Sequence, residues 1–291
     1  MLSNQASIGK QINHLQNLHT HTVFCDGVNT PEELIQEALR KGFDSIGFSG
    51  HSYMKRYPRE YSMTPENNLS YRKEIQRMKE KYAGQIKVYC GMEADTYTDA
   101  DLGGYDYLIG SVHYISKDGL LLDFDRTDLV HPRYAMQRFL NEFFDGDGMK
   151  FAKAYYETLA RLPEHGQYDI IGHYDLIVKH NDALHFVDEE SREYRNYAIE
   201  AAEALAGKIK LFEVNTGAIA RGYRKIPYPA PFIMKELKRL GFGAVISSDC
   251  HKKENLDFHF HETEELLKEC GFKERFVLTD AGFVPVEVSF L

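Results

Sequence analysis

From Asn17 to His251 the chain alternates short β-rich runs with amphipathic helical stretches, and in all but one of the runs a histidine or a carboxylate falls at or near the C-terminal end of the expected strand. The strand candidates are NLHTHTVF (17–24), SIGFSGH (45–51), IKVYCGMEAD (86–95), YDYLIGSVHYI (105–115), DIIGHYDLI (169–177), IKLFEVNTG (209–217) and FGAVISSDCH (242–251). The first helix, NTPEELIQEALRKGF, carries its own punctuation: Thr30 as N-cap, Pro31 at the first helical position, Glu33 three residues after the cap and Gly42 as the stop. A charged helix is expected at about 65–83, and further helices at about 133–162, 188–206, 229–240 and 262–270. Strands alternating with helices imply right-handed βαβ crossovers and a parallel sheet. Runs 45–51, 107–112 and 243–248 are almost unbroken in apolar and small residues, as strands covered on both faces must be. No linker, low-complexity segment or internal repeat interrupts the pattern, so residues 1–291 read as one barrel-like α/β domain.

The run ends carry the chemistry. They hold His19 and His21, His51, Glu93, His113, His173, and finally Asp249 and His251; the sixth run is the exception and ends EVNTG. In parallel barrels the C-terminal strand ends converge on the axis, and active sites assemble there. Residues i and i+2 of a strand face the same way, so His19 and His21 can share one ion, as can Asp249 and His251. Imidazole and carboxylate without thiolate suit Zn, Mn or Fe, and one glutamate can bridge two such ions. A single histidine at a strand end is ordinary packing. Metal-ligand types at one strand end after another are not explained by packing, and they imply a cluster of ions.

Other candidates take plainer roles. His259 and His261 repeat the spacing at a helix start (HFHETEELL), where the period-two argument fails, so they are read as surface or capping residues. His14, His131, His165, His180 and His185 fall in loops or at helix ends, and Cys25, Cys90 and Cys250 read as small buried hydrophobes beside ligand positions.

Composition narrows the partners. With 35 basic against 44 acidic residues the net charge is −9, which gives no attraction to a phosphate backbone or an anionic membrane. No apolar run approaches the ~18 residues of a membrane-crossing helix, and residues 1–18 lack the apolar core of a secretory signal. The four cysteines form no CxxC pair, so reduced thiols and a cytoplasmic location are expected. The oligomeric state is left open.

Taken in order, HTH, CDG, SGH, GMEAD, GSVHY, GHYDL and SSDCH resemble the motif series of the PHP family, named for polymerase and histidinol phosphatase. The likeness spans Leu18 to His251, the remainder (252–291) fits a last helix and strand, and the length is that of the family's stand-alone phosphatases. The resemblance implies a distorted, TIM-like (β/α)7 barrel with a centre of about three divalent transition-metal ions, zinc, manganese or iron. Carried over by motif, His19, His21, Glu93 and Asp249 would hold the first ion; Glu93 would bridge to a second completed by His113 and His173. Asp26, His51 and His251 would hold the third, although Asp26 also suits an ordinary Asp-Gly turn.

Two metals about 3.5–4 Å apart bring a bridging water towards deprotonation at neutral pH, so hydrolysis needs no Ser or Cys nucleophile. The third ion and cationic side chains would stabilise charge on the transferring phosphoryl group. Lys179, six residues past His173, and Arg221, after the sixth strand, are the candidate substrate-binding cations, and Asp249 with His251 is the candidate catalytic pair for the leaving-group proton. The resemblance favours L-histidinol phosphate, and so a step of histidine biosynthesis. Glu60, Asp99 and Asp101 are candidates for its amine, and Tyr53, Tyr57, Tyr61 and Tyr97 for its ring. The alternatives are another small phosphorylated metabolite, such as a nucleotide, or a metal-bound binding module without catalysis.

Overall fold

The computed structural model describes residues 14–55, 62–124 and 132–288. In chain order the first half runs β1 (Gln16–Asn17), α1 (Pro31–Lys41), β2 (Ser45–Phe48), α2 (Pro65–Lys81), β3 (Lys87–Asp95) and β4 (Tyr107–Ser111). A hairpin of β5 (Tyr114–Lys117) and β6 (Leu120–Asp123) follows, then α3 (Pro132–Phe144) and α4 (Gly148–Ala160). The second half is β7 (Ile170–Ile171), α5 (Asn181–Leu184), α6 (Arg192–Leu205), β8 (Leu211–Asn215), α7 (Gly217–Ala220), α8 (Pro231–Arg239) and β9 (Gly243–Ser247). It closes with α9 (Phe260–Glu269) and the hairpin β10 (Glu274–Thr279) and β11 (Gly282–Glu287).

The seven barrel strands pair in parallel in the order β1-β2-β3-β4-β7-β8-β9. The two ends of that sheet meet at a single parallel bridge, where the His21 N–H donates to the Cys250 carbonyl (2.8 Å) and the Cys250 N–H to the His19 carbonyl (2.9 Å). The sheet is therefore a nearly closed barrel of the (β/α)7 kind. Helix α1 starts and stops as its sequence dictates: Thr30 and Glu33 form a reciprocal capping box, and Gly42 takes a left-handed φ of 81°. Among the described residues no helix is long and apolar enough to cross a membrane.

Three expectations about element boundaries change. The 133–162 stretch is two helices, because Asp145 and Gly146 turn left-handed (φ 56° and 76°) and Asp147 then caps α4 through the Met149 and Lys150 amides. The 105–115 run ends as β4 at Ser111 and resumes at Tyr114 as the hairpin β5–β6. That hairpin turns on Asp118-Gly119, both at positive φ (51° and 79°), the Asp-Gly hairpin signal. The C-terminal helix is followed by a two-stranded hairpin instead of one strand.

That last hairpin matters for the barrel. Inside, Leu18, Tyr89, Tyr107, Ile109, Ile170, Leu211, Val245 and Leu278 form an apolar plug, with Phe276 and Phe283 packed against it. The Gln16 side chain ties the hairpin on by accepting from the Leu278 N–H (2.8 Å) and donating to its carbonyl (2.9 Å). The lower barrel is thus filled with hydrocarbon, which leaves its polar end to the strands' C-termini. Tyr107 is the more deeply buried of the plug's two tyrosines, and it fits because β3 and β2 carry glycine beside it. A Cβ on Gly91 would lie 2.3 Å from the Tyr107 ring, and one on Gly47 would lie 2.5 Å from its hydroxyl. Gly91→Ala is accordingly expected to destabilise the fold by about 1–3 kcal/mol through overpacking, read as a lower midpoint in denaturant at unchanged m-value.

Candidate metal centre

Each motif leaves its side chain where a strand reaches the C-terminal rim. His19 and His21 follow β1, and both side chains are fully buried, with Thr20 between them spent on the bridge to Cys250. Asp26 sits in the turn after them. The turn lies close over His21, since a Cβ on Gly27 would be 2.4 Å from the His21 carbonyl carbon. His51 lies past β2 on a parallel bridge to Glu93. Glu93 is in β3, His113 and His173 stand two residues beyond β4 and β7, and Asp249 and His251 follow β9. Asp249 adopts a left-handed φ of 46°, a backbone conformation an aspartate keeps only when its surroundings hold it there.

Glu93 is the hub. Its Oε2 lies 2.8 Å from His51 Nδ1, 3.3 Å from His19 Nε2 and 3.6 Å from His21 Nε2; its Oε1 lies 2.9 Å from His173 Nε2 and 3.4 Å from His113 Nε2. Asp249 Oδ1 approaches His21 Nε2 to 3.1 Å and His19 Nε2 to 3.5 Å. Asp26 faces His21 Nδ1 (3.2 Å), His251 Nε2 (3.1 Å) and His51 Nε2 (3.6 Å). Three overlapping groups of donor atoms have the spacing to hold an ion: His19, His21 and Asp249; His51, Glu93 and His113; and His21, Asp26, His51 and His251. The grouping differs from the motif-by-motif assignment: His21 and His51 each stand in two groups, Glu93 groups only with His51 and His113, and His173 stands in none of the three.

Electrostatics marks this as a site for cations. Burial pushes the Glu93 carboxyl up, but His51, His19 and His113 outweigh it and hold the group well below its ordinary range. Asp249 is held down in the same way against its burial, chiefly by Arg221 and then by His19 and His251. Burial opposes charge on His51 too, yet Glu93 and Asp26 raise it to about 10. Carboxylates and imidazoles are compensating one another's charge where metal ions would do so. The orphaned atoms fit that substitution: His19 Nε2, His21 Nε2, Glu93 Oε2, Asp26 Oδ1 and His173 Nδ1 are buried without a hydrogen-bond partner.

The model of the PHP domain matches residues 17–217. The chain belongs to the PHP family. A histidinol-phosphatase of Bacillus subtilis is 26% identical over 278 residues, spanning 87% of this chain and 98% of the relative. A Deinococcus radiodurans protein named "Probable histidinol-phosphatase" is 29% identical over 266 residues, 87% of this chain and 92% of the relative. Among solved structures, the histidinol phosphate phosphatase of Lactococcus lactis, complexed with zinc, L-histidinol and phosphate, superposes with a TM-score of 0.67 at 19% identity. That superposition covers 93% of this chain and 99% of the other, and it fixes the PHP fold.

Around the PHP donor set, Asp95 and Glu213 are residues the sequence did not single out. Asp95 accepts the His113 N–H (2.8 Å) and faces His113 Nδ1 (3.3 Å). Glu213 of β8, fully buried, lies 2.8 Å from His19 Nδ1. The available signal was a glutamate inside the otherwise apolar run IKLFEVN, because a buried carboxylate needs partners. Arg221 donates from Nη2 to Asp249 Oδ2 (2.8 Å) and from Nη1 to the Asp249 carbonyl (3.1 Å). Lys179 closes the short 3-10 turn Leu176–Val178, its ammonium 5.1 Å from the Tyr223 ring centroid, two residues beyond Arg221. Asp99 accepts from the Lys55 amide in the loop after β2, Asp101 accepts from the Gly103 amide of its own loop, and the Tyr97 ring stands edge-on to His165 at 5.2 Å. Tyr57, Glu60 and Tyr61, like His131, lie outside the described residues.

His259 takes the N-cap position of α9 at φ 56° without a side-chain cap bond, and His261 is exposed on the first turn. Cys250 is buried, and its thiol donates to the Lys252 carbonyl (3.0 Å). Cys25 Sγ lies 3.5 Å from His21 Nδ1. Because neither thiol stands among the donor groups, Cys25→Ser and Cys250→Ser are each expected to keep the metal count and to hold activity within about tenfold, or ~1.4 kcal/mol of barrier. A collapse of metal content in either variant, by elemental analysis, would show the thiol to be a ligand.

Proposed function

We propose that this chain is a metal-dependent phosphomonoesterase that hydrolyses L-histidinol phosphate to L-histidinol and phosphate. The observation that carries the reading is the convergence of His19, His21, Asp26, His51, Glu93, His113, His173, Asp249 and His251 on one barrel rim, with the Arg221 guanidinium bound to Asp249 beside them. The named relatives from Bacillus subtilis and Deinococcus radiodurans support the choice of substrate. The zinc, L-histidinol and phosphate of the Lactococcus lactis enzyme support both ligand and metal.

His19, His21, Glu93 and Asp249 would hold one ion, Glu93 with His113 and His173 a second, and Asp26, His51 and His251 a third. Bound divalent ions supply Lewis-acid charge and an activated water. The chain supplies the rest. Arg221 presents a fixed cation to the phosphate oxygens, so that charge developing in flight meets a preorganised donor. Lys179, its ammonium over the Tyr223 ring, adds a second cation for the same group. Asp249 and His251 handle the leaving-group proton, with His251 Nδ1 3.5 Å from Asp249 Oδ1. Because Arg221 keeps Asp249 ionised, it first accepts a proton from water and then passes it to the departing alkoxide. No Ser or Cys nucleophile is needed. The test is a panel of phosphate monoesters assayed on purified protein with metals counted on the same sample. Turnover of histidinol phosphate by protein carrying about three ions supports the reading, and fully metallated protein that turns over no ester would be a binding module.

A further inference from the structure

Strand β8 brings no ligand to the rim, yet it places one carboxylate under the whole centre. Glu213 makes four short contacts: Oε1 accepts from the His173 backbone N–H (2.6 Å) and from Asn215 Nδ2 (2.8 Å), while Oε2 meets Ser247 Oγ (2.6 Å) and His19 Nδ1 (2.8 Å). The Asn215 amide is oriented unambiguously, since its Oδ1 accepts from the Gly217 N–H (2.8 Å) and its Nδ2 therefore faces Glu213. Two N–H groups that can only donate thus occupy Oε1, and hydrogen bonds of this kind favour the ionised, acceptor-only carboxylate. With hydroxyl and imidazole on Oε2 as well, no lone pair is left for an ion. Glu213 is not a ligand.

An acceptor at Nδ1 decides the state of the His19 ring. Nδ1 carries the proton, so in the neutral ring that can ligate an ion the lone pair lies on Nε2, the atom that is buried without a hydrogen-bond partner and turned towards Glu93 Oε2 (3.3 Å) and Asp249 Oδ1 (3.5 Å). The same carboxylate fixes the backbone of His173, whose ring meets Glu93 from the other side of the hub (2.9 Å). We propose that Glu213 is the positioning residue of the metal centre: it sets the tautomer and direction of His19 and anchors His173, tying ligands of two ions to one buried carboxylate. A carboxylate behind a ligating imidazole raises its basicity and locks its orientation, which is how such partners control metal affinity. This inference rests on the proposed metal centre.

The test uses the full chain, stripped of metal and titrated with zinc against a competing indicator chelator. Glu213→Gln keeps the volume but sets an amide N–H against the donors it must face, so zinc affinity of at least one site should fall about 10–100-fold. Because Glu213 acts on that site through His19, adding Glu213→Gln to His19→Ala should cost less than about threefold more, far from additive. In zinc-loaded wild-type protein, histidine 15N spectra, with His19 assigned by its loss in His19→Ala, should show the proton on Nδ1; that readout requires no folded Glu213 variant. A proton on Nε2, wild-type affinity in Glu213→Gln, or full additivity in the double variant would overturn the role of Glu213 while leaving the metal centre intact. A wild-type protein that binds no zinc would overturn both.

Discussion

Glu93→Ala is expected to abolish phosphatase activity for practical purposes, lowering kcat/KM by roughly 10⁴-fold, about 5.5 kcal/mol, and to cost more than one ion per chain. Both carboxylate oxygens are in use: Oε2 gathers His51, His19 and His21, and Oε1 gathers His173 and His113. Removing it would take a donor from both ions it is proposed to bridge and would leave five imidazoles facing one another in a buried pocket, where an uncompensated charge is expensive. A terminal donor is different. His113→Ala removes one contact from one ion and should cost roughly 10²-fold, with the remaining ions retained. Elemental analysis and kinetics on the same preparations make the comparison. Glu93→Ala protein with a full metal complement and activity within tenfold of wild type would remove the hub role from Glu93.

The second large effect is selectivity. Histidinol phosphate should exceed simple alkyl or aryl phosphates and nucleoside monophosphates by at least about 10³-fold in kcat/KM, ~4 kcal/mol. An amine and an imidazole supply binding energy that a bare ester cannot, and that energy is realised in orienting the phosphate for in-line attack. Released phosphate should carry a single solvent oxygen with inversion at phosphorus, because no nucleophilic side chain intervenes. Arg221→Ala should then lower kcat/KM by about 10²–10³-fold through loss of a donor to the transferring phosphoryl group. Metal content should hold, since Arg221 grips Asp249 Oδ2 while Oδ1 is the oxygen that faces His19 and His21. Lys179→Ala should raise KM or lower kcat by about tenfold. Comparable kcat/KM across the panel would instead indicate a phosphoesterase of broad substrate range.

Where reading and structure part company, the cause is long-range pairing. Strand lengths illustrate it: the run 17–24 contributes one residue, Asn17, to β1 and the run 169–177 two to β7, because the register with neighbours decides how many residues pair. Both are still where the motif needs them. His19 and His21 reach the rim through the one-residue bridge at Thr20, so the period-two argument applied even though the strand as such had ended. The hairpin at Asp118-Gly119 was legible in principle. The run GSVHYI, however, reads equally as the continuation of a single strand.

What the sequence determined is what nearest neighbours along the chain control. Helix α1 is bounded by Thr30, Glu33, Pro31 and Gly42, which act within one turn of themselves. The donor atoms are equally local: once strands run parallel, every strand's C-terminal end arrives at one rim, and whatever side chains stand there must meet. What only the tertiary structure decided is how those donors are held. Glu213 lies 194 residues from His19, Arg221 lies 28 from Asp249, and Asp26 lies 225 from His251. Closure of the barrel at Thr20 and Cys250 and the Tyr107 plug under the hub belong to the same class. Such contacts depend on strand order, register and the rotation of side chains about a common axis. No spacing along the chain encodes them, because the energy that selects them appears only after the barrel has closed.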